Sequence, residues 1–245
     1  MCTVSFIARE RGYLLAMNRD EKLSRAKGLP PKTVSIGGRA VICPSEPGGG
    51  TWIALNDAGV TFALINWYSV KAVVQGNPVS RGTVVNSVSA QVSPASASGL
   101  LAELPLPQIA PFRLIGIFPA QTEIYEWRWD LKTLVGSRQH WKPQQWISSG
   151  HDEPAAQCTR SKTFRLALRQ KSAGTLDWLR RLHQSHLPSP GPFSTCMHRA
   201  DAATVSYTEI VVSHHHAGMA HAQAAPCQCV MPPARRSRAQ STRGV

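Results

Sequence analysis

The residues with the clearest capacity for chemistry lie at the start of the chain. Met1-Cys2-Thr3 opens one apolar run, and Asn18-Arg19-Asp20-Glu21 closes the next. A second residue as small as cysteine permits removal of Met1, which would leave Cys2 with a thiol and a free α-amine. Reference pKa values are about 8.5 for a thiol and about 7.7–8.0 for an α-amine, so either group can hold the proton near neutral pH. The amine can take the thiol proton, directly or through water, and return it to a leaving group. An anionic neighbour such as Asp20 holds the ammonium form, and a cationic one such as Arg19 favours thiolate. Read alone, Cys2 is a small core residue with Met1 retained and a solvated charged loop nearby. Only further matches along the chain lift it above that.

The elements that must position these residues come first. Residues 3–8 and 13–17 are apolar runs flanking a polar turn at residues 9–12, which predicts a β-hairpin that carries Asn18-Arg19-Asp20-Glu21 back toward Cys2. Residues 21–32, with Pro30-Pro31, read as loop. Residues 33–36 and 39–43 read as short strands around Gly37-Gly38. A glycine-rich loop, residues 44–50, precedes the clearest hairpin in the chain, residues 51–55 and 60–66, which ends at Asn66. Helices are predicted at residues 81–89 and 95–104, strands at 112–118, 123–129 and 131–135, and a loop with Trp141 and Trp146 up to Gly150. Two more helices at residues 155–170 and 175–185 lead to a last hairpin, residues 194–198 and 203–212. Antiparallel strands alternating with helix pairs predict an α+β fold of stacked antiparallel sheets covered by helices. The absence of G-x-G-x-x-G and P-loop motifs disfavours a nucleotide-binding α/β protein.

Composition narrows the classes. The chain has 245 residues, 42% hydrophobic, with no apolar run near the roughly 20 residues of a membrane span. Arg9, Glu10 and Arg11 interrupt the first apolar run, so no signal peptide is read and a cytoplasmic location is expected. The net charge is +13, of which +9 remains on residues 1–216, because residues 217–245 carry four arginines and no acidic residue. That excess favours anionic ligands, and no motif gives it nucleic-acid specificity. The low-complexity Ala/Pro/Arg stretch from 217 to 245 is expected as a disordered basic tail behind a single domain at 1–216.

The six cysteines, at 2, 43, 158, 196, 227 and 229, form no disulfide framework, and Cys43, Cys158 and Cys196 read as core residues. Cys227-Gln-Cys229 and His214-His215-His216 lack a second ligand pair at zinc spacing, so no metal and no cofactor is expected.

Several motifs together resemble one family. Met1-Cys2-Thr3, Asn18-Arg19-Asp20-Glu21, Gly49-Gly50-Thr51-Trp52, Asn66 and Ser80-Arg81-Gly82 resemble the NRDE family, also called the transport and Golgi organisation protein 2 family. The stretch Gly191-Pro-Phe-Ser-Thr-Cys-Met-His-Arg-Ala-Asp201 with Thr204-Val-Ser-Tyr-Thr208 looks like its bacterial-type members. The family is similar to N-terminal nucleophile hydrolases, in the branch of choloylglycine (bile salt) hydrolases and penicillin V acylase. The resemblance implies a four-layer αββα sandwich and attack on a linear amide of a small acylated metabolite. It implies Cys2 as nucleophile, Asp20 as the carboxylate that holds the amine, Arg19 beside them and Asn66 as oxyanion donor. Trp52 is expected as pocket wall, Ser149 in place of a second asparagine of the branch, and Arg160 in place of a late arginine. The hydrolase branch carries Arg-Asn-x-Asp where this chain has Met17-Asn18-Arg19-Asp20, which displaces the arginine by two positions. The alternative implied by eukaryotic members is a non-enzymatic binding or trafficking protein with a haem or lipid-like ligand. A small-molecule partner is expected on either reading.

Overall fold

Strands with apolar residues on both faces are stable only when covered on each side. The computed structural model describes residues 2–71, 73–74 and 76–237, and meets that demand with layers. Among these residues the elements run β1 (Cys2–Arg9), β2 (Gly12–Lys22), β3 (Leu29–Ile36), β4 (Arg39–Ser45), β5 (Ile53–Asn56), β6 (Thr61–Asn66), α1 (Gly82–Val88) and α2 (Pro94–Ala102). They continue as β7 (Phe112–Phe118), β8 (Glu123–Trp129), β9 (Leu134–Gln139), β10 (Gln144–Ser148), α3 (Glu153–Ala167), α4 (Leu176–Gln184), β11 (Ala202–Ser213), β12 (His216–Ala222) and β13 (Arg235–Ser237). One antiparallel sheet has the order β10-β1-β2-β11-β12-β13, and the other runs β3-β4-β5-β6-β7-β8-β9.

The period of two sorts each strand between layers. Val4, Phe6, Leu15 and Met17 of the first sheet meet Ile53, Leu55, Ala63 and Ile65 of the second in the central core. On the far side of the first sheet, Ile7, Leu14 and Ala16 pack under Phe164 of α3 and Trp178, Leu179 and Leu182 of α4. On the far side of the second, Phe62, Phe112 and Trp127 pack under Val84, Val85 and Val88 of α1 and Ala97 and Leu101 of α2. Each such aliphatic or aromatic burial contributes about 1.5–3 kcal/mol. The result is the expected αββα sandwich. No helix among the described residues is long and apolar enough to cross a membrane.

Four departures from the sequence expectation bear on function. Pro30 and Pro31 lie in β3 rather than in a loop; β3 is an edge strand, and its register slips between Leu29 and Lys32, the two settings in which a sheet tolerates proline. The expected loop before Gly150 contains β10, which pairs with β1 and reaches Cys2 through Ser148. Residues 194–198 form a loop, with a single bridge from His198 to Ala203, and the last hairpin is β11–β12 instead. Finally, residues 217–222 do not start a tail. Ala217 and Met219 alternate into the central core, and the main chain pairs with β11 and, through residues 217–219, with β13. The last stretch of the expected tail, residues 238–245, lies outside the described residues.

Candidate active site

The register of the first hairpin decides what faces what. Cys2 pairs with Arg19, so their side chains share a face, whereas Thr3, Asn18 and Asp20 share the other. Cys2 and Arg19 therefore point between the sheets, and Asp20 points toward the helices. The two-position displacement of the arginine does not remove it from the side of Cys2; it sets Arg19 directly across from it.

Around this pair opens a cavity of about 390 Å³ lined by Cys2, Arg19, Asp20, Trp52, Asn66 and Arg81, among others. Four of these residues come from the expected set in addition to Cys2. The Cys2 main-chain nitrogen donates to Ser148 Oγ at 3.0 Å, at the end of β10. Burial pushes the Cys2 thiol up from its ordinary value; the Asp20 carboxylate adds to the rise, while Arg19 and the Asp20 backbone N–H oppose it. Arg19 is only 6% exposed and is held from two directions. Its guanidinium donates to Glu46 at 2.8 Å and Glu21 at 3.2 Å, and its Cζ lies 4.5 Å from the centroid of the Trp52 ring. Arg25 joins the same two glutamates, closing a four-residue charge network on the rim. Coulombic attraction from both arginines helps lower the Glu21 pKa, although burial, the largest influence, acts in the opposite sense.

Asp20 is fixed on the outer face. Its Oδ2 lies 3.2 Å from Arg160 Nη1, both side chains being fully buried, and its Oδ1 accepts from Thr204 Oγ1 at 2.7 Å. Thr204 borders a register shift in the β2–β11 pairing, the kind of irregularity that re-aims a side chain at a functional edge. Arg160, from the second turn of α3, also donates to Thr3 Oγ1 and to the Pro192 carbonyl. It is thus a support of Asp20 from behind. Beside it, His183 of α4 bonds Asn18 Oδ1 and Ser5 Oγ, and burial together with the Arg160 charge drops its pKa to about 3.

Asn66 stands at the cavity with its Nδ2 donating to Tyr68 Oη at 2.7 Å, which leaves a second amide hydrogen for a ligand. The turn after it is clamped to the start of α3, since the Ser69 N–H donates to Glu153 at 2.7 Å. Ser149 is placed away from this group: its Oγ accepts from the His151 N–H, and the hydroxyl that meets Cys2 belongs to the preceding residue, Ser148.

Three contributors escaped the sequence reading. Ser148 lay in a segment read as loop, and Thr204 stood in the quoted stretch Thr204-Val-Ser-Tyr-Thr208 with no role given to it. Arg81 had one, because it sits within Ser80-Arg81-Gly82. The reason for that motif is a close approach: a Cβ on Gly82 would lie 2.7 Å from Gly50 Cα, and Thr51 N–H donates to the Gly82 carbonyl. Only glycines let the start of α1 touch the loop before β5, and this contact delivers Arg81 to the cavity. Arg81 donates to the Pro111 carbonyl and has no carboxylate within ion-pair distance among the described residues. Burial lowers its pKa, the Cys2 and Glu21 charges opposing.

The profile of the Transport and Golgi organisation 2 family matches residues 1–129, more than half of the chain. The chain belongs to this family. Curated proteins give no match to this member. Among solved structures, this Transport and Golgi organisation 2 chain is similar to penicillin V acylase from Agrobacterium tumefaciens, with a TM-score of 0.54 and 11% identity over 91% of this chain and 83% of that one. It is also similar to a mutant conjugated bile acid hydrolase from Clostridium perfringens, with a TM-score of 0.54 and 7% identity over 96% of this chain and 97% of that one. A second variant of that hydrolase gives 0.53 and 8% over 97% of each chain. At these identities the likeness establishes the N-terminal nucleophile hydrolase fold for this family member, and the fold alone.

Proposed function

We infer that the protein is an N-terminal nucleophile hydrolase that cleaves a linear amide of a small acylated metabolite, with Cys2 as nucleophile once Met1 has been removed. The observation that carries this reading is the convergence of Cys2, Arg19 and Asn66 on one cavity, with Asp20 in its wall and the Cys2 nitrogen already seated on Ser148. Met1 itself lies outside the described residues. With it gone, that nitrogen is the α-amine, and the Ser148 hydroxyl orients it. The acylase and hydrolases that share the fold lend the reaction class its analogy.

In this reaction the amine takes the thiol proton and the thiolate attacks the amide carbonyl. Arg19 favours the thiolate against the cost of burial, and Asp20 favours the ammonium. The oxyanion forms at the second Asn66 amide hydrogen. Collapse breaks the C–N bond; the ammonium proton leaves with the amine product and a thioester remains on Cys2. Water then attacks the thioester, gives its proton to the amine, and releases the acid with the thiol restored. Arg81 reaches the cavity with no carboxylate in ion-pair distance among the described residues, which fits a substrate whose amide lies near an anionic group.

The test uses the chain with its natural N-terminus, assayed on a panel of small N-acyl compounds bearing a carboxylate. Intact mass is expected to lack Met1, and a thioester adduct on Cys2 should be trapped by acid quench. Cys2→Ala should leave turnover at background with the melting temperature little changed. Retained Met1, or a Cys2→Ala variant as active as the parent, sinks the assignment.

A further inference from the structure

The loop behind the candidate site gathers four groups that the sequence scatters. His186 follows α4, Cys196 and His198 lie in the segment before β11, and Cys227 lies in the short 3-10 turn after β12. Their ligand atoms all fall within 4.8 Å of one another. Cys196 Sγ is 3.4 Å from Cys227 Sγ and 3.6 Å from His198 Nε2; Cys227 Sγ is 3.4 Å from His198 Nε2; and the two Nε2 atoms are 3.1 Å apart.

These four spacings lie within about 0.4 Å of the edges of a metal tetrahedron. Zn–S bonds of about 2.3 Å and Zn–N bonds of about 2.0–2.1 Å at tetrahedral angles give S···S near ~3.8 Å, S···N near ~3.6 Å and N···N near ~3.4 Å. The sulfurs are far from the roughly 2.05 Å of a disulfide. The donor set also fits by charge, since two thiolates neutralise a divalent ion and two neutral imidazoles complete the shell. Cys196 is buried, the two histidines are half-buried and Cys227 is at the surface, so an ion has a route in.

Each ligand is held by the main chain around it. Cys196 N–H donates to the Ser185 carbonyl, next to His186, and His198 N–H donates to the Gly191 carbonyl. The Gln184 side chain donates to the Pro226 carbonyl, which ties the end of α4 to the segment carrying Cys227. We propose that His186, Cys196, His198 and Cys227 form a zinc site of two cysteines and two histidines, closed by four protein ligands and structural in role. It cross-links the end of α4, the segment before β11 and the C-terminal strap. The same segment gives the Pro192 carbonyl to Arg160 and the Thr195 carbonyl to Asn18, so the ion fixes the scaffold behind Asp20 without entering the cavity. The expectation of no metal rested on Cys227 acting with Cys229 and the histidines at 214–216; the fold gives Cys227 different neighbours, and neither Cys229 nor the three histidines belongs to the cluster. The site stands independently of the reaction assigned to Cys2.

The experiment is elemental analysis of the untagged full-length chain, expressed with zinc and desalted against a weak chelator. One zinc per chain is expected. Replacement by Co²⁺ should give the intense visible bands of tetrahedral thiolate coordination. Cys227→Ser and His186→Ala should each reduce retained zinc at least tenfold, while Cys158→Ser, an exposed cysteine on α3, should retain it. If the variants prove insoluble, the Co²⁺ spectrum of the parent decides alone. Metal-free protein that gives no such spectrum, zinc content unchanged in soluble Cys227→Ser and His186→Ala, or a Cys196–Cys227 disulfide in protein prepared without oxidant overturns the proposal.

Discussion

The two faces of the β1–β2 hairpin are built from adjacent residues and behave as different materials. The inner face presents Cys2 and Arg19 to a cavity, with charges paired at its rim and one cation, Arg81, that has no ion pair among the described residues. The outer face locks Asn18 and Asp20 under α3 and α4, where Arg160 and His183 are buried and hydrogen bonded. One face is arranged to meet a ligand, and the other to keep a backbone still. Position along a strand decides a residue's surroundings: Arg19 and Asp20 are neighbours in sequence, yet one faces the cavity and the other the packed layer under the helices.

Substitutions on the two faces should separate these duties. The largest effect on stability is expected at Arg160→Met, which takes the buried ion-pair partner from the Asp20 carboxylate and costs about 3–5 kcal/mol. Urea unfolding measures it, and adding Asp20→Asn should recover part of the loss. Next comes Asn66→Ala, which should lower kcat by about 10²–10³-fold while leaving the unfolding midpoint in place. An unchanged kcat would remove Asn66 from the oxyanion site. Arg81→Gln should raise KM for a carboxylate-bearing amide by about tenfold or more, with kcat nearly constant. A neutral substrate should show no such change.

The last effect is one of pH, spread over several units, and belongs to the outer face. His183 faces Arg160 from α3 and the Tyr207 ring from β11, and its pKa in the fold is about 3. The unfolded chain, with a value near ~6.5, binds the proton first. Its contribution to stability is therefore complete above about pH 6.5 and is lost as pH falls toward 3. Replacing it by asparagine should flatten the dependence of the urea midpoint across that range.

The hairpin was legible because its parity is local. A turn that pairs Arg9 with Gly12 places Cys2 opposite Arg19 by counting alone, and the same count sends Asp20 to the other face. Asn66 was legible as the end of a glycine-closed hairpin. What escaped depends on distant segments. Ser148 is 146 residues from Cys2, on a strand whose Gln144 and Gln145 hide its apolar half. The partnership of Cys227 with Cys196 crosses 31 residues and a whole hairpin, so no local spacing announces it. Residues 217–222 looked like low complexity because alanine fills a narrow place between neighbouring strands as well as it fills a tail.

The glycine contact between residues 50 and 82 has a consequence for how such a protein can change over time. The close approach is between main-chain atoms, steadied by Ser80 Oγ on the Gly82 N–H and by the Asn86 side chain on the Gly49 carbonyl, so it makes no direct use of the Arg81 and Trp52 side chains. Arg81 and Trp52, one on each side of the joint, can be exchanged for other residues while the joint holds its shape. The part of the cavity that selects a ligand can therefore drift freely around a hinge that cannot.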